Sequence, residues 1–269
     1  MSVEIIAEVG TNWCHVGRLR DSTNEAMCSI TEAAASGATI VKFQLFTADT
    51  LYSKTRAQHV WERMKQYELP LSILPQLRSV ANQVGVKLWM SVFSPHLIPA
   101  ALPYLHGIKV ASGDITYHDL IQECAMASHS AQIPLIISTG AATTEEISRA
   151  ITVAKMQLPF ELILFHCVSA YPAKSSEMNL AGGRTFVNNV SAIGLSDHTK
   201  DSITASVAVG MGYSCFEKHF HGWNAPEDAP DRVVSIGPEE FTRYVNDIRN
   251  AEQIIGKSRK GISISEINE

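Results

Sequence analysis

A chain of 269 residues with 45% apolar side chains can bury a large core, and that length lies within the range of a single α/β barrel. Its net charge of −5 excludes a nucleic-acid footprint or a basic membrane-binding face and leaves a small molecule as the expected partner. Cys14, Cys28, Cys124, Cys167 and Cys215 form no CxxC pair, which argues against a zinc knot or disulfide framework and for a reducing cytoplasm.

The N-terminus lacks a basic region followed by an apolar run, and no stretch reaches the roughly 18 apolar residues of a membrane helix. A soluble, untargeted protein is expected. Short apolar, β-branched runs then recur in chain order at 3–8, 39–44, 87–92, 107–112, 134–140, 161–167, 192–197 and 215–220. Their interiors are nearly continuous in apolar residues, as in Leu162-Ile163-Leu164-Phe165, the pattern of parallel strands buried on both faces. Between them, Ser22 with Glu25 and Thr143 with Glu146 have capping-box spacing, and Pro238 before Glu239 and Glu240 suits a first helical turn. Eight strand–helix repeats predict a single (β/α)8 TIM barrel, α/β in class, over residues 1–269, with its last helix at about 241–255. Long irregular stretches are expected at about 47–68 and 221–237, each after a strand, where a barrel builds its active-site rim.

Polar residues gather at the C-terminal ends of these strands: Glu8, Lys42 with Gln44, Ser91, Lys109 with Ser112, Ser138, His166, Ser196 through His198, and Glu217 through His219. Each interrupts a buried run at a cost, so a shared pocket at the barrel mouth is the economical explanation. Taken alone, a strand lysine is as well explained by an ion pair with a carboxylate such as Glu8. Together, Lys42 and Lys109 with the hydroxyls of Ser112, Ser138 and Ser196 suit a ligand carrying a phosphate and a carboxylate. His198 and His219 end adjacent strands and can share one ion in an open site suited to polarising a carbonyl; the alternative is a hydrogen-bonded histidine or general acid. Asp231, in the following loop, is a further carboxylate for the ion or for a substrate hydroxyl.

In order, Ile6-Ala7-Glu8-Val9-Gly10-Thr11-Asn12, Val41-Lys42-Phe43-Gln44, Lys109-Val110-Ala111-Ser112-Gly113, Ser138-Thr139-Gly140, His166-Cys167 with Tyr171-Pro172, Leu195-Ser196-Asp197-His198-Thr199 and Glu217-Lys218-His219-Phe220 resemble the N-acetylneuraminate (sialic acid) synthase family. The resemblance runs from about residue 4 to about residue 256. It implies a transferase of carbohydrate biosynthesis that condenses phosphoenolpyruvate with a sugar-like aldehyde, using a divalent metal: manganese, with magnesium or cobalt as alternatives. It implies that Lys42, Ser91, Lys109, Ser112, Ser138, Ser169 and Ser196 hold phosphoenolpyruvate and that His198 and His219 hold the metal. Glu8 is implied near the reacting centre as a proton-handling group, and Gln44, Phe93, Asp114, Tyr171 and Asp231 on the acceptor side.

Departures from the family pattern cluster on that acceptor side. The first loop reads Asn12-Trp13-Cys14-His15-Val16-Gly17 in place of Asn-His-x-Gly, Asp114 replaces a glutamate, Met90-Ser91-Val92-Phe93-Ser94 replaces Ser-Thr-Pro-Phe-Asp, and Pro230-Asp231-Arg232 replaces Pro-Asp-His. The antifreeze-like domain that normally follows the barrel is not in this sequence, so a homodimer or a separate lid-domain subunit is an expected partner. Phosphoenolpyruvate use is therefore expected to be retained more firmly than specificity for N-acetylmannosamine. Two other readings compete: a Schiff-base aldolase acting through Lys109 or Lys218, and a catalytically inactive barrel that binds a sugar or phosphate.

Overall fold

The computed structural model describes residues 3–256; the expected domain's positions from 257 onward lie outside the described residues. Strands β1 (Glu4–Gly10), β2 (Ile40–Leu45), β3 (Lys87–Val92), β4 (Gly107–Val110), β5 (Pro134–Ser138), β6 (Glu161–His166), β7 (Ala192–Ser196) and β8 (Cys215–His219) form a closed barrel in chain order. Neighbours run parallel throughout, and β8 closes on β1 with Glu8 opposite His219. All eight expected strands are present.

Strand alternation divides each apolar run between two environments. Ile5, Ala7 and Val9 face the surrounding helices, while Ile6 joins Ile40, Trp89, Ile136, Ile163, Phe165 and Cys215 in a plug inside the barrel. Large rings in the plug lie over glycines of the next strand. A Cβ on Gly107 would come within 2.2 Å of the Trp89 ring, and one on Gly194 within 2.2 Å of Phe165. Two residues further along the same inward face stand the polar side chains of the mouth, so the plug is their floor.

The helices depart from expectation in identifiable places. Thr143 and Glu146 form the capping box of the helix Thr144–Met156, and Pro238 opens the helix Pro238–Ile255. Ser22 and Glu25 do not cap: the helix Leu19–Ala35 begins earlier, and the Ser22 hydroxyl accepts from His15 N–H and donates to His15 C=O, tying the loop to the helix. After β3 only short turns form, because Pro99 and Pro103 each remove a donor that a continuous helix starting at Pro95 would need. The stretch expected to be irregular at 47–68 contains the helices Ala48–Leu51 and Gln58–Lys65. The 221–237 loop is irregular apart from the turn Arg232–Val234, and it returns to the barrel through a bridge between Phe220 and Ile236.

Among the described residues no helix is long and apolar enough to cross a membrane, and all five cysteines are free.

Candidate active site

A cavity of about 430 Å³ opens at the C-terminal mouth of the barrel. Glu8, Lys42, Gln44, Ser91, Phe93, Lys109, Ser112, Ser138, Ser169, Tyr171, Ser196, His198, His219 and Asp231 all line it. Of the polar strand ends, His166, Asp197 and Lys218 do not, and of the residues with a role in the expected site only Asp114 does not. It ends the tight turn Ser112–Asp114, its Oδ2 is buried without a hydrogen-bond partner, and its charge is felt by Cys124 on the following helix. Burial raises the Asp114 carboxyl above the usual carboxylate range. Gly113, and not Asp114, stands at the lining.

The two lysines are not free cations. Lys42 donates to Glu8 and, at 2.6 Å, to Ser91, and its Nζ lies 3.4 Å from Glu217; Lys109 pairs with the same Glu217. The ion-pair reading of a strand lysine and the pocket reading thus both hold for Lys42. Burial opposes charge at Lys42, but Glu217 and Glu8 outweigh it and raise the ammonium's affinity for its proton. Burial likewise opposes charge at Glu217, yet Lys109 and Lys42 hold its carboxyl well below the usual range. Ser196 also donates to Glu217, at 2.7 Å.

Glu217 stands among the polar strand ends expected at the mouth but has no expected role there. Alternation could have found it: counting back two from His219 places Glu217 on the inward face and Lys218 outside. Lys218 is buried against Asp197 at 3.1 Å, with its Nζ 5.2 Å from the centre of the Tyr244 ring on the last helix. It faces away from the cavity, so an imine at Lys218 has no route to a ligand in the mouth.

On the opposite side, the His198 and His219 rings have centroids 5.8 Å apart, and Tyr171 packs 4.2 Å from the His198 ring. His198 Nδ1 lies 2.7 Å from the Val168 carbonyl, which fixes the tautomer with the proton on Nδ1 and directs an Nε2 lone pair to the mouth. Burial first, and then His219, lower the His198 pKa to about 4, so the ring is neutral at physiological pH. His219 Nδ1 is buried without a hydrogen-bond partner. Among the described residues no group of three or more His, Cys, Asp and Glu side chains converges to hold a metal. A two-imidazole donor set with an unpaired nitrogen fits an ion that takes its remaining ligands from water or substrate.

Ser138 Oγ is likewise buried and unpaired, facing the lysine side of the cavity. Ser112 accepts from Gly140 N–H at 3.1 Å, and Gly140 is required there because a Cβ would come within 2.2 Å of Ser169 Oγ. Phe93, Pro230 and Val234 give the outer cavity apolar walls beside Gln44 and Asp231. Arg232 pairs with Glu227 at 3.3 Å and is not part of the lining.

Comparison with known proteins agrees with this architecture. The chain is 34% identical to the N,N'-diacetyllegionaminic acid synthase of Legionella pneumophila over 99% of its own length and 77% of that protein's. It is 31% identical to the pseudaminic acid synthase of Helicobacter pylori over 97% of its length and 77% of the relative's. A crystal structure of N-acetylneuraminic acid synthetase from Leptospira borgpetersenii in complex with citrate superposes with a TM-score of 0.84 at 26% identity, covering 100% of this chain and 90% of that one. Residues 29–260 match the NeuB family, and the chain is a member of that family.

Proposed function

We propose that the protein is a transferase that condenses phosphoenolpyruvate with a sugar-like aldehyde to give a sialic-acid-like α-keto acid and inorganic phosphate. The observation that carries the reading is one cavity with Lys42, Lys109 and unpaired Ser138 on one side and the His198–His219 pair on the other. Names of relatives on both sides of the sialic acid group support it. The acceptor belongs to the amino-sugar aldoses; the relatives make N-acetylmannosamine and N,N'-diacetylated hexoses the first to try.

In this reaction C3 of phosphoenolpyruvate bonds to the aldehyde carbon, water adds at C2, and phosphate leaves with cleavage of its C–O bond. Lys42, Lys109, Ser91, Ser112, Ser138, Ser169 and Ser196 hold the donor's phosphate and carboxylate by charge-assisted bonds. Glu8, beside Lys42, exchanges the proton of the attacking water or of the new hydroxyl. Gln44, Phe93, Tyr171 and Asp231 orient the acceptor, and Tyr171 screens the imidazoles from water. His198 and His219 would hold a divalent cation, manganese first, with magnesium and cobalt as alternatives. Such an ion supplies Lewis acidity toward the aldehyde oxygen. The lysines and their two carboxylates leave the floor near charge balance, so a trianionic donor is best accommodated together with a divalent cation.

The test is phosphate release from phosphoenolpyruvate with a panel of aldoses, with and without manganese, read with product mass. A product equal in mass to acceptor plus pyruvate supports the proposal; absence of phosphate release with every acceptor removes it. An imine at Lys109 would instead give borohydride-trapped adduct and activity that survives chelation.

A further inference from the structure

Asp231 sits 220 residues from Thr11 in sequence, yet the two side chains are reciprocally bonded. Asp231 Oδ2 accepts from Thr11 N–H at 2.7 Å and from the Thr11 hydroxyl at 2.8 Å, while Asp231 N–H lies 3.1 Å from Thr11 Oγ1 as its donor. Gln44 adds a third contact to the same oxygen at 3.3 Å and reaches Glu8 Oε1 at 3.3 Å with the same nitrogen. One carboxylate oxygen is thus saturated by the protein.

The first loop is shaped for this contact. Gly10 adopts φ +57°, and a Cβ there would come within 2.3 Å of Asp231 Oδ2, so only glycine admits the carboxylate. The turn is closed by Asn12 N–H donating to Val9 C=O at 3.0 Å. The loop backbones are held together separately: Asn12 Nδ2 donates to Phe220 C=O at 2.9 Å and to Ser235 Oγ at 2.8 Å, and the Phe220–Ile236 bridge closes the far end. The Thr11 hydroxyl is therefore not needed to keep the two loops in place. What it adds falls on the side chain that faces the cavity.

We infer that Thr11 is a positioning residue for the acceptor: its hydroxyl fixes the Asp231 carboxylate against Gln44, so the first loop sets which acceptor hydroxyl pattern the mouth accepts. This rests on the reading of Asp231 as an acceptor-side group. It has a mechanistic basis in that a hydrogen bond to a charged group is worth more than one between neutral groups, and a misplaced carboxylate forfeits its bond to substrate as well.

Thr11→Val keeps the shape and the N–H but removes the hydroxyl; Thr11→Ser keeps the hydroxyl. Steady-state phosphate release is measured with N-acetylmannosamine and with an N,N'-diacetylated amino hexose as acceptors, and crystal structures of both variants locate Asp231. Thr11→Val is expected to raise acceptor KM roughly tenfold to a hundredfold, leave phosphoenolpyruvate KM unchanged, and show the carboxylate rotated away from Gln44. Thr11→Ser is expected to restore wild-type acceptor KM. An unchanged acceptor KM in Thr11→Val, an equal rise in both KM values, or an Asp231 carboxylate that stays in place overturns the inference. A wild-type enzyme that releases no phosphate with any acceptor overturns the proposed function instead, and the acceptor role of Thr11 with it, while the crystal structures still decide the Thr11–Asp231 clamp.

Discussion

Glu217 Oε2 lies 3.4 Å from Lys42 Nζ at the base of the barrel mouth, and the other carboxylate oxygen is taken by Lys109 and Ser196. A single carboxylate therefore bridges two buried lysines, and Glu8 supplies the second negative charge at Lys42. Removing its charge while keeping its shape leaves Lys42 with Glu8 and Lys109 without a carboxylate partner. Glu217→Gln is expected to lose about 3–5 kcal/mol of unfolding free energy, measured by urea denaturation, and to regain more of it than wild type on adding inorganic phosphate. Equal phosphate effects on both proteins would show that the lysines do not face the anion.

The imidazole pair makes a separate prediction about metal. By calorimetry the protein is expected to bind a single manganese ion. Since loss of an outer-shell partner alone weakens metal sites roughly 10–100-fold, His198→Gln and His219→Gln are each expected to weaken binding by more than that. Affinity retained in both variants would place the ion elsewhere.

Gly107→Ala tests the floor beneath the site. The added methyl would meet the Trp89 ring at 2.2 Å inside a closed barrel, where neither strand can shift alone. Overpacking of this kind costs about 1–3 kcal/mol. The expected result is a lower thermal midpoint with metal affinity retained, because His198, two residues past the end of β7, and His219, at the end of β8, lie across the mouth.

Glu25 predicts a pH dependence of stability. It is buried on the helix Leu19–Ala35; burial first and the neighbouring Glu32 second raise its carboxyl to about 7. The unfolded chain releases that proton near the ordinary value of about 4.3. Between the two values the folded state holds a proton that the unfolded state does not. The stability tied to this proton is complete below the unfolded pKa and is lost as pH rises through about 7. Glu25→Gln is therefore expected to melt like wild type at about pH 4 and to be the more stable protein at about pH 8, by on the order of 1–3 kcal/mol. A stability gap that stays constant with pH would remove this account.

Much of the architecture was legible because strands buried on both faces must be apolar nearly throughout. Leu162 through Phe165 are readable as such a strand without any partner in view, and polar residues near the ends of several runs, Glu8, Lys109 and Ser138 among them, mark the mouth. Ser22 with Glu25 misled because the capping pattern is local, whereas the start of that helix is set by how the 15–18 loop folds back on Ser22.

The sequence by itself determined the strand count, the end of the barrel that carries chemistry, and the residue types gathered there, since those depend on hydrophobic period and strand polarity. Tertiary structure alone decided who pairs with whom. Lys42 meets Glu8 and Glu217, Lys218 turns out to Asp197, Asp114 stays off the cavity lining, and Thr11 grips Asp231. The physical reason is that these partners meet through barrel register and loop return, and both emerge only when β8 closes against β1.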